Sequence, residues 1–203
     1  MQPLGCNSGG MFEELEELIP PPGMFLVVEG HKPQSPRVPL PALDAERSKQ
    51  AFAVYTKGMS NAASILDDAE ALAKQKRYAR SVALGITAWE ELGKSQIAAD
   101  FYSGVLPEAE YRKGFKNHTF KTSYLARTGV IGMEAPVMTN SIIGEKLELI
   151  RQNALYVSET NDPKNAFTEQ HASFVLTRVR EHLDYINYAE EFNGRIGSKA
   201  LFK

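Results

Sequence analysis

The sequence has a single cysteine, Cys6, so one chain cannot form an internal disulfide, which fits a reducing compartment. No uninterrupted apolar run approaches the roughly 20 residues that a membrane-spanning helix needs. The basic region and apolar stretch of a secretory signal are missing too, so the expected compartment is the cytoplasm. Charge of one sign is also lacking. Lys and Arg number 23 against 25 Asp and Glu, for a net charge of -2, which argues against a DNA-coating or membrane-surface protein. There is no Gly-rich phosphate loop, no Cys/His zinc spacing, no Glu-x-x-His pair and no nucleophile elbow. His171 and His182 are eleven apart on what reads as one helix, and two histidines alone make a poor metal site. Neither a metal nor a cofactor is expected.

Proline is scarce in most of the chain, because eight of the eleven prolines lie at or before Pro41. That segment also holds the acidic run Glu13, Glu14, Glu16 and Glu17 and a short apolar piece, Met24 to Val28. Proline at this density blocks both helix and sheet pairing. Residues 1–41 therefore read as a flexible acidic arm, with one docked extended piece at 24–28, and residues 42–203 as the folded domain.

Beyond Pro41 the pattern is helical throughout. Asp44 reads as an N-cap, and a long helix follows to about Lys76 on the stripe Phe52, Tyr55, Met59, Ala62, Leu66 and Ala69, with spacings of three and four. Ala51 and Gly58 beside it would let a neighbour approach closely. A second helix, about Tyr78 to Tyr102, is apolar nearly all round and so should be central. A third is expected from Pro107 to about Thr128 on Tyr111, Phe115, His118, Thr122 and Leu125. A loop follows around Gly129 to Pro136. A fourth helix covers about Asn140 to Val157 on Ile143, Leu147, Ile150 and Ala154. After a turn at Asn161-Asp162-Pro163, a fifth runs from near Thr168 to before Gly194. The fold class is all-α, a bundle of about five helices behind a proline-rich arm.

Two stretches could carry chemistry. The first, Ala88-Trp89-Glu90-Glu91-Leu92-Gly93-Lys94, puts two acids and a base in the most buried helix, where charge is costly unless paired. Glu90 and Lys94, four apart, can pair along the helix, either as a simple salt bridge or as one wall of a polar cleft. The second is Arg112 through Arg127, with bases at Arg112, Lys113, Lys116, Lys121 and Arg127 and no acid. His118 and Lys121, three apart, share a helix face there. A histidine beside cations suits an anionic substrate such as a phosphodiester, since imidazole moves protons near neutral pH and a cation steadies phosphate oxygens. Arg112 and His118 would point about 120° apart on an ideal helix. They could meet at one phosphate through an irregular helix start or across two subunits. The second and third helices, joined by a short break, should run antiparallel and bring Glu90 or Glu91, Lys94, His118 and Lys121 together.

Taken in order, Asn61-Ala62, Asp68 to Leu72, Arg77-Tyr78-Ala79, Trp89 to Lys94, Phe115 with His118 and Lys121, and Ala154 to Val157 resemble the AbiV-type abortive infection proteins, a branch of the HEPN superfamily. The resemblance covers about Ser48 to Ala189, and Glu-Glu-Leu-Gly-Lys followed by His-x-x-Lys is its specific part. It implies a HEPN-like bundle, an antiphage role and, by analogy, a metal-independent ribonuclease whose Arg-then-His signature matches Arg112 and His118. Lys113 departs from the polar residue usual after that arginine. On this reading His118 is the acid or base, Arg112 and Lys121 steady the phosphate, Glu90 or Glu91 orients them, and Lys94, Lys113 and Lys116 contact RNA. A homodimer is expected. Two further readings stay open: a non-catalytic module that binds a phage protein or a cognate antitoxin, and an accessory helical protein outside defence.

Overall fold

The computed structural model describes residues 43–104, 106–125 and 141–193. The expected arm, its extended piece at 24–28 and the loop around Gly129 to Pro136 lie outside those residues.

Among them the chain forms seven helical segments and no strand: α1 (Ala45–Lys74), α2 (Tyr78–Tyr102), α3 (Glu108–Lys116), α4 (His118–Leu125), α5 (Ser141–Leu155), α6 (Pro163–Ala166) and α7 (Glu169–Asn193). Among the described residues the one ladder contact is an isolated bridge between Ser158 and Asn161. Asp44 does cap α1, its side chain accepting from the Arg47 N–H at 2.7 Å. Lys76 closes that helix in the left-handed region (φ 60°).

The helices α1 and α2 form an antiparallel hairpin. Ser81 Oγ donates to the Ala69 carbonyl at 2.8 Å near the turn, and Ser95 Oγ meets Met59 Sδ at 3.3 Å farther along. Ala51, Tyr55, Met59, Ala62, Leu66 and Ala69 are buried in this seam, whereas Phe52, expected in the stripe, is 39 % exposed against Tyr102. A Cβ on Gly58 would sit 3.2 Å from Ser95 Cβ, so the small-residue stripe of α1 is filled from within the chain. The close neighbour that this stripe admits is α2 of the same chain.

The central place of α2 follows from its apolar circumference, with neighbours on every side. The last helix, α7, runs alongside it in the same sense: Glu169 lies at Tyr78, Val175 at Gly85 and His182 at Trp89. On α5, Ile143, Leu147, Ile150 and Ala154 are all buried, as their spacing predicts.

The third expected helix is two helices. Asn117 takes an extended conformation (φ -119°, ψ 112°), and its side-chain oxygen accepts the Phe120 N–H at 3.0 Å, starting α4 afresh. Asparagine competes for backbone groups in this way and so favours caps over helix interiors. Up to the break, α3 runs antiparallel to α2, with Tyr111 stacked on Phe101 and Gly114 against Ile97. After it, α4 lies across α2, with Thr122 at Trp89 and Tyr124 hydrogen-bonded to Asp100. The break also corrects the place of His118, expected on a buried stripe. Its side chain is 56 % exposed.

Candidate functional site

The segment Trp89 to Gly93 seats α4 on α2. The Trp89 indole N–H donates to the Thr122 carbonyl at 2.9 Å. Gly93 has no room for a side chain, because a Cβ there would overlap the carbonyl oxygen of Lys121. Between these two anchors, Glu90 turns its carboxylate to α4. Its Oε2 accepts from His118 Nδ1 at 2.8 Å and its Oε1 from Lys121 Nζ at 2.6 Å. Glu90, His118 and Lys121 are thus brought together.

Burial is uneven across this trio. Glu90 and Lys121 are buried, while most of the His118 side chain is open to solvent. Burial pushes the Glu90 carboxyl up, but the hydrogen bonds from His118 and Lys121 and their charges outweigh it and hold the carboxyl below its ordinary value. An ionised carboxylate can only accept, so the proton it shares with His118 sits on Nδ1. That leaves Nε2 as the acceptor of the neutral ring.

Of the other expected residues, Glu91 pairs with Lys94 one turn on, which replaces the Glu90–Lys94 pair the spacing allowed. An i, i+3 partner was as near as the i, i+4 one, and Glu90 faces α4 instead. Arg112 is exposed and bound to Glu108 through Nε (2.9 Å) and Nη2 (2.6 Å), and Glu108 also holds Arg47 of α1 at 2.8 Å. Lys113 Nζ sits 5.7 Å above the Phe120 ring, and Lys116 is exposed on the same short helix.

Sequence reasoning missed a second pair on α5. Glu148 and Arg151 form a two-point ion pair at 2.9 and 2.7 Å, and Gln152 donates to the same carboxylate at 2.7 Å. Arg151 holds the Glu148 carboxyl low, with a lesser pull from His118. Glu148 in turn raises the Arg151 guanidinium, with smaller contributions from Glu90 and Tyr156. The two pairs are therefore electrostatic neighbours. Their closeness depends on Gly144, where a Cβ would strike Thr119 and Ser123 of α4. A Glu and an Arg three apart beside the apolar stripe of α5 was the available signal, but such pairs usually mark a solvated face.

Two features lie apart from this network. His182 is buried with its ring edge-on to Trp89 at 4.8 Å, and burial, then Arg178, pushes its pKa down to about 4. An open groove of about 600 Å³ runs along α7 between Glu169 and Arg178, sharing no residue with the Glu90 network. Among the described residues no cluster of three metal-ligating side chains occurs, and no helix is long and apolar enough to cross a membrane.

The architecture is that of an all-α bundle domain with a charged network on the flank of its central helix. A sequence profile of the AbiV family of HEPN domains matches residues 50–184, and the chain belongs to that family. The match takes in the Glu90, His118, Lys121, Glu148 and Arg151 network and supports an abortive-infection, antiphage role. Comparisons with curated proteins and with solved structures gave no match.

Proposed function

We propose that the domain is an antiphage effector that cleaves RNA without a metal ion, with His118 as its proton-transfer group. The observation that carries this reading is the His118–Glu90 contact, in which a buried, ionised carboxylate holds Nδ1 of an imidazole that is more than half exposed, leaving Nε2 as the ring's acceptor. A carboxylate-oriented imidazole is suited to general acid–base work near neutral pH. His118 Nε2 would take the proton of a ribose 2′-hydroxyl. The freed oxygen attacks the adjacent phosphorus, the bond to the 5′-oxygen breaks, and that oxygen takes a proton from solvent while His118 returns its own to solvent, so the products are a 2′,3′-cyclic phosphate and a 5′-hydroxyl end. DNA lacks that hydroxyl and would not be cut.

Lys121 spends its charge on Glu90, so it acts chiefly by fixing the carboxylate. Arg112, Lys113 and Lys116, exposed on α3, would hold the RNA backbone, and Lys94 with Glu91 would border the site. Arg112 must exchange Glu108 for phosphate to do so. A homodimer would let the arginine of a second copy serve the same phosphate, and a dimer mass by light scattering at micromolar concentration checks this. Purified protein should cut cellular RNA in the presence of a chelator. His118→Ala should abolish cutting in a domain that still folds cooperatively, and an equally active His118→Ala variant rules the role out.

One observation favours a second reading. Glu90, Lys121, the Trp89 N–H and Gly93 together lock α4 onto α2, and that is sufficient reason for a polar cluster in a module that only binds a phage protein or a cognate antitoxin. Phage challenge of cells carrying the Arg112→Ala/His118→Ala double variant separates the two. Full protection favours binding, and lost protection favours catalysis.

A further inference from the structure

The end of α5 carries an exposed apolar ledge next to the charged network. Leu155, Tyr156 and Val157 are 43 %, 62 % and 78 % exposed. The ledge stands on a held backbone. The Tyr156 N–H donates to the Gln152 carbonyl at 3.0 Å, and Asn161 Nδ2 donates to the carbonyls of Asn153 (2.7 Å) and Tyr156 (2.9 Å). The Ser158 N–H closes the turn onto the Asn161 carbonyl at 3.0 Å. A tyrosine presented in this way loses little conformational freedom when something packs on its face.

The register of α5 gives the ledge its neighbours. Gly144 seats the helix against Thr119 and Ser123, and the chain then passes Glu148 and Arg151 before reaching Tyr156. Arg151 is within electrostatic reach of both Glu90 and Tyr156. It uses Nε and Nη2 on Glu148, which leaves the Nη1 donors for another acceptor. Gly144 packs on Thr119, the residue after His118, and Glu148 and Arg151, four and seven residues on, share that face of α5, so a guanidinium with spare donors lies on the side of α5 that meets α4, and an open aromatic ring follows at the helix end.

We propose that Tyr156 is a stacking platform for a nucleobase of single-stranded RNA, with Arg151 holding the phosphate between that base and His118. The inference rests on the ribonuclease reading above and adds to it a strandedness preference and two residues. Paired bases hide their faces, so a stacking platform selects unpaired RNA. Any base can make such a contact, because every base has a π-face.

Initial-rate kinetics on a short unstructured RNA, with the same RNA annealed to its complement as control, test the proposal. Tyr156→Ala should raise KM about tenfold with kcat within about twofold and an unchanged melting temperature, and should erase the preference for the single strand. Tyr156→Phe keeps the ring and should match the wild type. A 2-aminopurine placed in the RNA should be quenched by the wild type and by Tyr156→Phe but not by Tyr156→Ala. If the wild type cuts RNA and Tyr156→Ala does so with unchanged KM and quenching, the platform is wrong while the ribonuclease reading stands; such a ledge would then serve a protein partner. Equal losses in Tyr156→Phe and Tyr156→Ala would show that the hydroxyl matters and overturn stacking. A wild type that neither binds nor cuts RNA removes both.

Discussion

Two of the seams that hold the central helix α2 are built on opposite principles. Toward α7 it is apolar, with Gly85 against Val175 and Leu176 and the Trp89 ring against His182. Toward α4 it is polar and tightly specified, with Glu90 bound to His118 and Lys121 and the Gly93 backbone pressed on the Lys121 carbonyl. Trp89 belongs to both, giving its ring to one seam and its N–H to the other. An apolar seam tolerates small shifts because burial has no direction. A buried ion pair does not, since each charge is costly once its partner moves. The polar seam is thus the one suited to hold a reactive side chain in a fixed geometry, and His118 sits at its open end.

The largest expected effect comes from breaking the polar seam. Glu90→Ala leaves Lys121 as a buried ammonium without its acceptor and should cost about 3–5 kcal/mol, or about 10 °C or more in melting temperature. Glu90→Leu with Lys121→Met should recover most of that loss by turning the seam apolar, while the RNA-cutting assigned to His118 stays absent. A loss under about 1 kcal/mol for Glu90→Ala in denaturant unfolding would falsify the contrast between the seams.

Gly93→Ala comes next, at about 3 kcal/mol. Its Cβ meets backbone that cannot rotate away, and the gain in helix propensity of about 1 kcal/mol does not make up for that. A melting temperature equal to the wild type's would show that α4 can lift off α2 freely.

Acid should attack the apolar seam first. The folded pKa of His182 is about 4, against about 6.5 for a free histidine, so the unfolded chain binds the extra proton between those values. The stability is whole above about pH 6.5 and is lost as pH falls to about 4. At 1.36 kcal/mol per pH unit the loss is about 3 kcal/mol. Glu90 has a lowered folded pKa, so its contribution persists above the unfolded carboxyl value of about 4.3 and is lost only at lower pH. Melting curves from pH 7 to 4.5 should flatten in His182→Leu, and an unchanged slope would assign the acid sensitivity elsewhere.

The smallest effect is expected at Gly85. A Cβ there meets Val175 Cγ1 at 2.7 Å, a side-chain methyl rather than backbone. Gly85→Ala should stay within about 1 kcal/mol of wild type, since overpacking and helix propensity nearly cancel. A loss as large as that at Gly93 would mean the two seams are equally rigid.

The all-helical fold was legible because 3.6-residue periodicity needs no partner to be read. The stripe of α5 and the all-round apolar surface of α2 told which faces are buried, and Asp44 marked a helix start. Glu90, His118 and Lys121 were legible as candidates because carboxylate, imidazole and ammonium stand out inside apolar helices. Asn117 misled the reading, since the stripe Tyr111, Phe115, His118 and Thr122 runs through it unbroken, and whether an asparagine caps or continues a helix depends on what the next turn packs against. Glu148 and Arg151 looked like an ordinary surface pair, because their nearness to His118 rests on Gly144 letting α5 settle on α4.

The sequence by itself determined the helices, the central rank of α2 and the kinds of group available for proton transfer, since these depend on local spacing and side-chain chemistry. Only the tertiary structure decided which charges meet. It paired Glu90 with His118 and Lys121 rather than with Lys94, tied Arg112 to Glu108, and turned His118 from an expected core position to the surface. Helix crossings permit a charge several candidate partners, and the glycine contacts at Gly93 and Gly144 select one by bringing particular backbones together.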